Sequence, residues 1–214
     1  MQNWFKPYFK TDGDGFPLDV TGTIHLVPLE LKFLGALRVL TKGYSFLEVA
    51  ECTQGDHEEV HRTFFYEFCE VLIEKLFASN VYLPRNDEEL DLVMNIYSHL
   101  GFPGCCFSMD CVHIKWKNCP FKYRNSYYSY KNGCSAVSYN VSCSHSGFIQ
   151  TVSNGYYATW GDDLIVRFDD AVLPLINNPL FTNKEYTLNK SPIATVKRKG
   201  VYGLTDNGYF RCCI

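Results

Sequence analysis

Two aspartates stand where their chemistry is most conspicuous. Asp110 lies inside Cys106–Trp116, an alternating run rich in strand formers, between Met109 and Cys111. Acids are poor strand formers and costly to bury, so one set in mid-strand needs a partner or a metal ion. Asp206 closes a short apolar run, Gly200–Thr205, and leads into the turn Asn207-Gly208-Tyr209. If the two runs are neighbouring strands of one sheet, the carboxylates converge although they lie far apart in the chain. Converging carboxylates and substrate phosphates are the oxygen ligands that Mg²⁺ or Mn²⁺ takes, and such ions activate an attacking hydroxyl in phosphodiester cleavage. The plainer arrangement also fits: Asp206 capping its own turn, and Asp110 paired with Lys115 or Arg124.

The charge distribution points toward the same chemistry. The chain carries a net charge of −3, yet no Asp or Glu occurs between Cys111 and Gly161. That stretch holds Lys115, Lys117, Lys122, Arg124 and Lys131, interleaved with Trp116, Phe121, Tyr123, Tyr127, Tyr128 and Tyr130. Cations alternating with flat rings suit a nucleic-acid backbone with exposed bases. They equally suit an aromatic β region edged by snorkelling lysines.

Other residues invite weaker readings. His57-Glu58-Glu59-Val60-His61 satisfies the H-E-x-x-H pattern of zinc peptidases. Asp56 reads as a helix N-cap, which sets His57 and Glu58 in an exposed first turn, and no third ligand motif follows. His113 falls on the opposite strand face from Asp110. His145 lies in a turn, and Lys197-Arg198-Lys199 reads as a solvated basic loop.

The elements that must position these residues fall into two textures. Pro28–Lys42 has helical apolar spacing ended by Gly43, and Ser45 with Glu48 forms a capping box for a short helix, Phe46–Cys52. Asp56 with Glu59 opens a long helix reaching Ala78, and Asn86 with Glu89 caps another that runs to Leu100. Ser45–Phe68 has helix-turn-helix proportions, shared by DNA readers and by ordinary packing units. Beyond Gly101-Phe102-Pro103-Gly104 the pattern turns to strands: Cys106–Trp116, Cys134–Cys143 and Gly147–Tyr156. A helix over Asp162–Ile176, a loop rich in Asn, Lys and Pro, and the strand Gly200–Thr205 follow. The expected fold class is therefore α+β, with an N-terminal extension (1–27), a helical region able to bind DNA or a partner (28–101) and a mixed sheet domain (102–214).

Composition agrees with a folded interior. Of 214 residues, 46% are hydrophobic and 20% charged, enough to bury a core. The first residues lack the apolar stretch of a secretory leader, and no eighteen-residue apolar run suits a membrane. The ten cysteines show no C-x-x-C spacing, so they read as reduced intracellular thiols acting mostly as small buried hydrophobes.

Several blocks together resemble PIF/Harbinger-type transposases, in particular the plant transposon-protein branch of DDE-type endonucleases. They are Gly101-Phe102-Pro103-Gly104, Ser108-Met109-Asp110-Cys111-Val112-His113, Trp116-Lys117-Asn118-Cys119-Pro120, Asp162-Asp163-Leu164-x-Val166 and Leu204-Thr205-Asp206-Asn207-Gly208-Tyr209. Leu37-Arg38-Val39-Leu40 and Phe64-Phe65-x-x-Phe68 are similar to the family's helical region. The resemblance implies an RNase H-like domain whose acidic triad binds Mg²⁺ or Mn²⁺ and cuts and joins DNA. It places Asp110 as first catalytic acid, Asp206 as second and Asp163 as a further metal acid, although Ala158-Thr159-Trp160-Gly161 departs from the usual preceding segment. It also implies the nucleus as location and, as partners, transposon-end and target DNA, a helper DNA-binding protein and a homo-oligomer. The family's third acid would fall beyond residue 214, so a truncated or decayed copy is expected. The alternative is a non-catalytic DNA- or protein-binding derivative.

Overall fold

A computed structural model of the chain describes residues 10–11, 17–18, 29–53, 57–191 and 194–209. The chain divides into two compact units, Met1–Ser79 and Asn80–Ile214.

The first unit carries a two-residue antiparallel pair, β1 (Lys10–Thr11) and β2 (Pro17–Leu18), and then helices α1 (Leu29–Lys42), α2 (Phe46–Cys52) and α3 (Glu58–Leu72). The Ser45 capping box forms: Ser45 Oγ accepts from the Glu48 backbone at 3.3 Å, and Glu48 Oε2 accepts from the Ser45 backbone at 2.6 Å. Phe33 of α1 meets Phe64 and Phe68 of α3 edge-on, at 5.4 and 5.6 Å between centroids. Gly35 lets α2 approach α1, since a Cβ there would lie 2.6 Å from Val49 Cγ1. The cap of α3 is His57, without a side-chain hydrogen bond, while Asp56, Gln54 and Gly55 lie outside the described residues. The long helix is not continuous to Ala78. Its register opens into a π-helical stretch, Ile73–Phe77, before the short α4 (Ala78–Asn80). None of that stretch is buried, so no core contact holds the tighter α register there.

The second unit is a six-stranded mixed sheet with helices. α5 (Asp87–His99) starts at Asn86, whose side chain accepts from the Glu89 backbone at 2.9 Å. It lies within the unit Asn80–Ile214, and Tyr97 Oη bonds Ser108 Oγ on the sheet at 2.9 Å. β3 (Cys105–Lys115) runs antiparallel to β5 (Cys134–Cys143), whose start pairs with β4 (Tyr128–Ser129). The expected third strand is broken into β6 (Ile149–Val152) and β7 (Tyr156–Tyr157), both paired to β5. At the break Gly155 passes so close to Val137 that a Cβ would lie 2.7 Å from it.

The expected single helix after Gly161 is also broken. α6 (Asp162–Arg167) stops because Asp169 folds back, its Oδ1 accepting from the Ala171 backbone at 2.9 Å, and α7 (Leu173–Asn177) restarts beyond. The stretch read as a loop instead holds α8 (Pro179–Thr182) and a separate antiparallel ribbon, β8 (Glu185–Ser191) with β9 (Ala194–Lys199). Lys197, Arg198 and Lys199 are thus exposed strand residues. Last comes β10 (Tyr202–Leu204), parallel to β3.

The core gathers Leu90 and Met94 of α5, Phe107 and Met109 of β3, and Val166, Val172, Leu175 and Phe181 from the later helices. Each such side chain contributes about 1.5–3 kcal/mol by leaving water. Of the eight described cysteines four are buried, three half-buried and Cys52 exposed, and none is disulfide-bonded. Burial pushes the Cys105 thiol up to about 11.

The β3–β10 contact depends on Gly203, where a Cβ would come within 1.9 Å of the Phe107 ring. Phe107 is fully buried and has nowhere to retreat. Gly203→Ala is expected to cost about 1–3 kcal/mol in chemical denaturation, the range for overpacking a filled core.

Candidate active site

The strand pairing decides where the two acids stand. Leu204 of β10 is in register with Ser108 of β3. Asp206 and Asp110 each lie two residues beyond that pair, on adjacent parallel strand paths. Asp206 Oδ1 accepts from the Gly208 backbone at 2.8 Å, so this acid does shape its own turn. Asp110 is exposed, and its Oδ1 accepts from the Cys111 backbone at 2.7 Å. Among the described residues it forms no ion pair with Lys115 or Arg124.

A third carboxylate joins them, and it is Asp162, which the motif comparison passed over. Gly208 is wedged between acids: a Cβ on it would lie 2.5 Å from Asp162 Oδ2 and 2.9 Å from Asp206 Oδ1. Burial holds the Asp162 carboxyl above its ordinary value, and the negative charges of Asp206 and Asp110 add to the rise. Contact with the Cys111 thiol and the nearby His113 partly offset it. Burial, with Asp162 beside it, pushes that thiol up to about 12. Asp163, the acid expected here, lies beside Arg167 of its own helix, Nη2 to Oδ2 4.0 Å. Both acids open α6, where the helix dipole favours negative charge, and Asp162 lies against Gly208 beside Asp206.

A buried polar cluster fixes this arrangement from below. Asn140 of β5, cross-strand partner of Cys111, has no exposed surface. Its Nδ2 donates to Asp169 Oδ2 at 2.7 Å, and its Oδ1 accepts from Tyr209 Oη at 2.9 Å. One carboxamide therefore ties the central strand to the end of α6 and to the turn that carries Asp206. Burial holds both the Asp169 carboxyl and the Tyr209 phenol above their usual values. No motif of the sequence advertises Asn140, because the signal is its position opposite Cys111, and that exists only in the folded sheet.

The remaining candidates separate. Among the described residues no three His, Cys, Asp or Glu side chains form a ready-made metal cluster. The peptidase pattern has no such geometry either: His61 is buried with Nε2 2.8 Å from Thr53 Oγ1, while His57 is an exposed cap. His113 shares the Cys111 face of β3, and its Nδ1 lies 2.8 Å from Ser129 Oγ. His145 is exposed in its turn. Lys115, Lys117, Lys122, Arg124 and Lys131 are all exposed, and none is in an ion pair among the described residues.

Comparison with known proteins agrees with the motif reading at the level of family. The model of the plant transposon protein family matches residues 80–202, more than half of the chain. The chain belongs to that family and is a transposon-derived protein. No curated protein and no solved structure matches it.

Two outcomes follow from this geometry. Tyr209→Phe leaves Asn140 Oδ1 buried without its donor and should lower unfolding free energy by about 1–3 kcal/mol. For Asp162 the sign comes from its raised pKa: the folded state holds the proton more tightly, so wild type loses stability as pH climbs through that pKa. The melting temperature of Asp162→Asn relative to wild type should therefore rise between about pH 4 and pH 7. A difference that stays flat across that window would overturn the raised pKa of Asp162, and with it the burial and repulsion behind it.

Proposed function

We propose that this member of the plant transposon protein family is a divalent-metal-dependent DNA endonuclease and strand-transfer protein of the PIF/Harbinger type, with an RNase H-like second unit. The observation that carries the reading is the close approach of Asp162 and Asp206 across the Gly208 turn, with Asp110 on the adjacent strand near enough for its charge to act on Asp162. An antiparallel β3–β5–β6 order with β10 parallel to β3 supports the fold assignment.

The donor set fits Mg²⁺ or Mn²⁺. It is all oxygen, it concentrates negative charge, and Mg²⁺ commonly needs only one or two carboxylates beside water and substrate phosphate. Asp206 and Asp162 would hold the ion, with Asp110 on the adjacent strand and Asp163 outside the set. A bound ion supplies charge neutralisation at the phosphate and a more acidic attacking water. The chain's own contribution is placement. The Asn140–Tyr209 bond holds the Asp206 turn, the β3 pairing holds Asp110, and the negative charge crowded on Asp162 favours a cation beside it. Positioning of this kind supplies much of the acceleration in phosphoryl transfer. The five exposed cations from Lys115 to Lys131, outside any ion pair among the described residues, would neutralise DNA phosphates, so binding should weaken steeply with salt. Transposon-end and target DNA, a helper DNA-binding protein and a second copy are the partners of this reading, and the nucleus its setting.

A second reading, a non-catalytic DNA- or protein-binding derivative, is favoured by the lack of a preformed three-ligand group among the described residues. Nicking of supercoiled plasmid separates the two. With Mg²⁺, wild type should nick, and Asp110→Asn, Asp162→Asn and Asp206→Asn should each lose about 100-fold or more, some 3 kcal/mol of transition-state stabilisation. Asp163→Asn should stay within a few-fold of wild type. Equal nicking by wild type and Asp110→Asn would take Asp110 out of the chemistry. DNA binding indifferent to Mg²⁺ without any nicking would favour the second reading.

A further inference from the structure

We propose that the cationic segment after β3 is built for an unpaired DNA strand, with bases stacked on its rings, and leads that strand to the acids. This rests on the reading of the second unit as a DNA-processing domain, and it names the form of DNA that the unit holds.

The side chains carry the argument. A cavity of about 600 Å³ opens between Lys115, Trp116, Lys117, Arg124 and Tyr128. The same segment carries two rings left almost wholly in water: Phe121 is 87% exposed and Tyr130 84% exposed. Tyr130 stands 5.2 Å from Tyr128, a lining residue of the cavity, in a T-shaped pair that still leaves most of its ring in water. Leaving two such rings in water is unfavourable, and a duplex backbone offers them nothing, because its bases are already stacked. Unpaired bases do offer a matching surface, and every base has a π-face, so the contact is sequence-tolerant.

The rings also point somewhere. Trp116 stacks on Tyr123 at 6.5 Å, Tyr123 meets Tyr127 at 6.4 Å, and Tyr127 meets Tyr157 at 4.9 Å. Tyr157 then contacts Trp160 at 5.5 Å, two residues before Asp162. A continuous aromatic track thus runs from the cationic cavity to the start of α6. Exposed cations flank its origin, where no carboxylate of the same segment competes for them.

The test is fluorescence anisotropy on the full chain in EDTA, comparing labelled oligo-dT with a mixed-sequence duplex of equal length. Wild type should bind the single strand more tightly. Phe121→Ala and Tyr130→Ala should each weaken oligo-dT binding by about tenfold while changing duplex binding less than twofold. Lys117→Gln with Lys122→Gln should weaken both. Because both rings are almost fully exposed, the two ring variants should melt with wild type, which separates a lost contact from a lost fold. Duplex bound as tightly as oligo-dT, or ring variants that weaken both probes alike or neither, would overturn the proposal. The assay contains no metal, so its failure leaves the nicking result untouched, and loss of nicking would leave this result standing.

Discussion

The second unit is organised around one buried carboxamide. Asn140 sits in the middle of β5 with no access to water, and a group like that is costly to bury unless its donors and acceptors are met. Here they are met from two distant segments, Asp169 after α6 and Tyr209 after β10. Neither segment is adjacent to the other in sequence, and each delivers a carboxylate to the same corner. The polar core therefore works as a register device: if either partner slips, a buried polar group is orphaned.

That constraint explains how like charges come to be held together. Burial and the negative charges of Asp206 and Asp110 raise the cost of ionising Asp162, and a thiol and a nearby imidazole offset it only in part. Proteins tolerate such repulsion where the surrounding structure over-determines the geometry and a positive ligand completes it. The pairing of β3 with β10, close enough to require glycine at position 203, supplies that determination from one side. The Asn140 cluster supplies it from the other.

Much of the architecture was legible in the chain. Capping residues at Ser45 and Asn86 marked helix starts that the structure shows, because caps are local hydrogen bonds within four residues. The alternation in Cys106–Trp116 and the strand-forming run Cys134–Cys143 marked the central strand pair, within a residue of its observed bounds, for the same local reason. The failures have tertiary causes. The helix after Gly161 breaks because Asp169 turns inward to a residue of another strand. The third strand breaks where Gly155 passes Val137. The polar ribbon β8–β9 gave too little apolar alternation to stand out from a loop.

The sequence by itself determined the capped helix starts, the central strand pair, the basic aromatic segment, and the family, whose model matches residues 80–202. It marked Asp110 and Asp206 as acids in unusual settings. Only the tertiary structure decided which of two adjacent aspartates stands beside them. Asp162 and Asp163 are chemically identical and equally placed in the first turn of α6, so no composition, period or cap distinguishes them. Their side chains leave the helix in different directions, one toward the Gly208 turn and one toward Arg167. Which direction meets the other acids depends on how that helix is laid against the sheet.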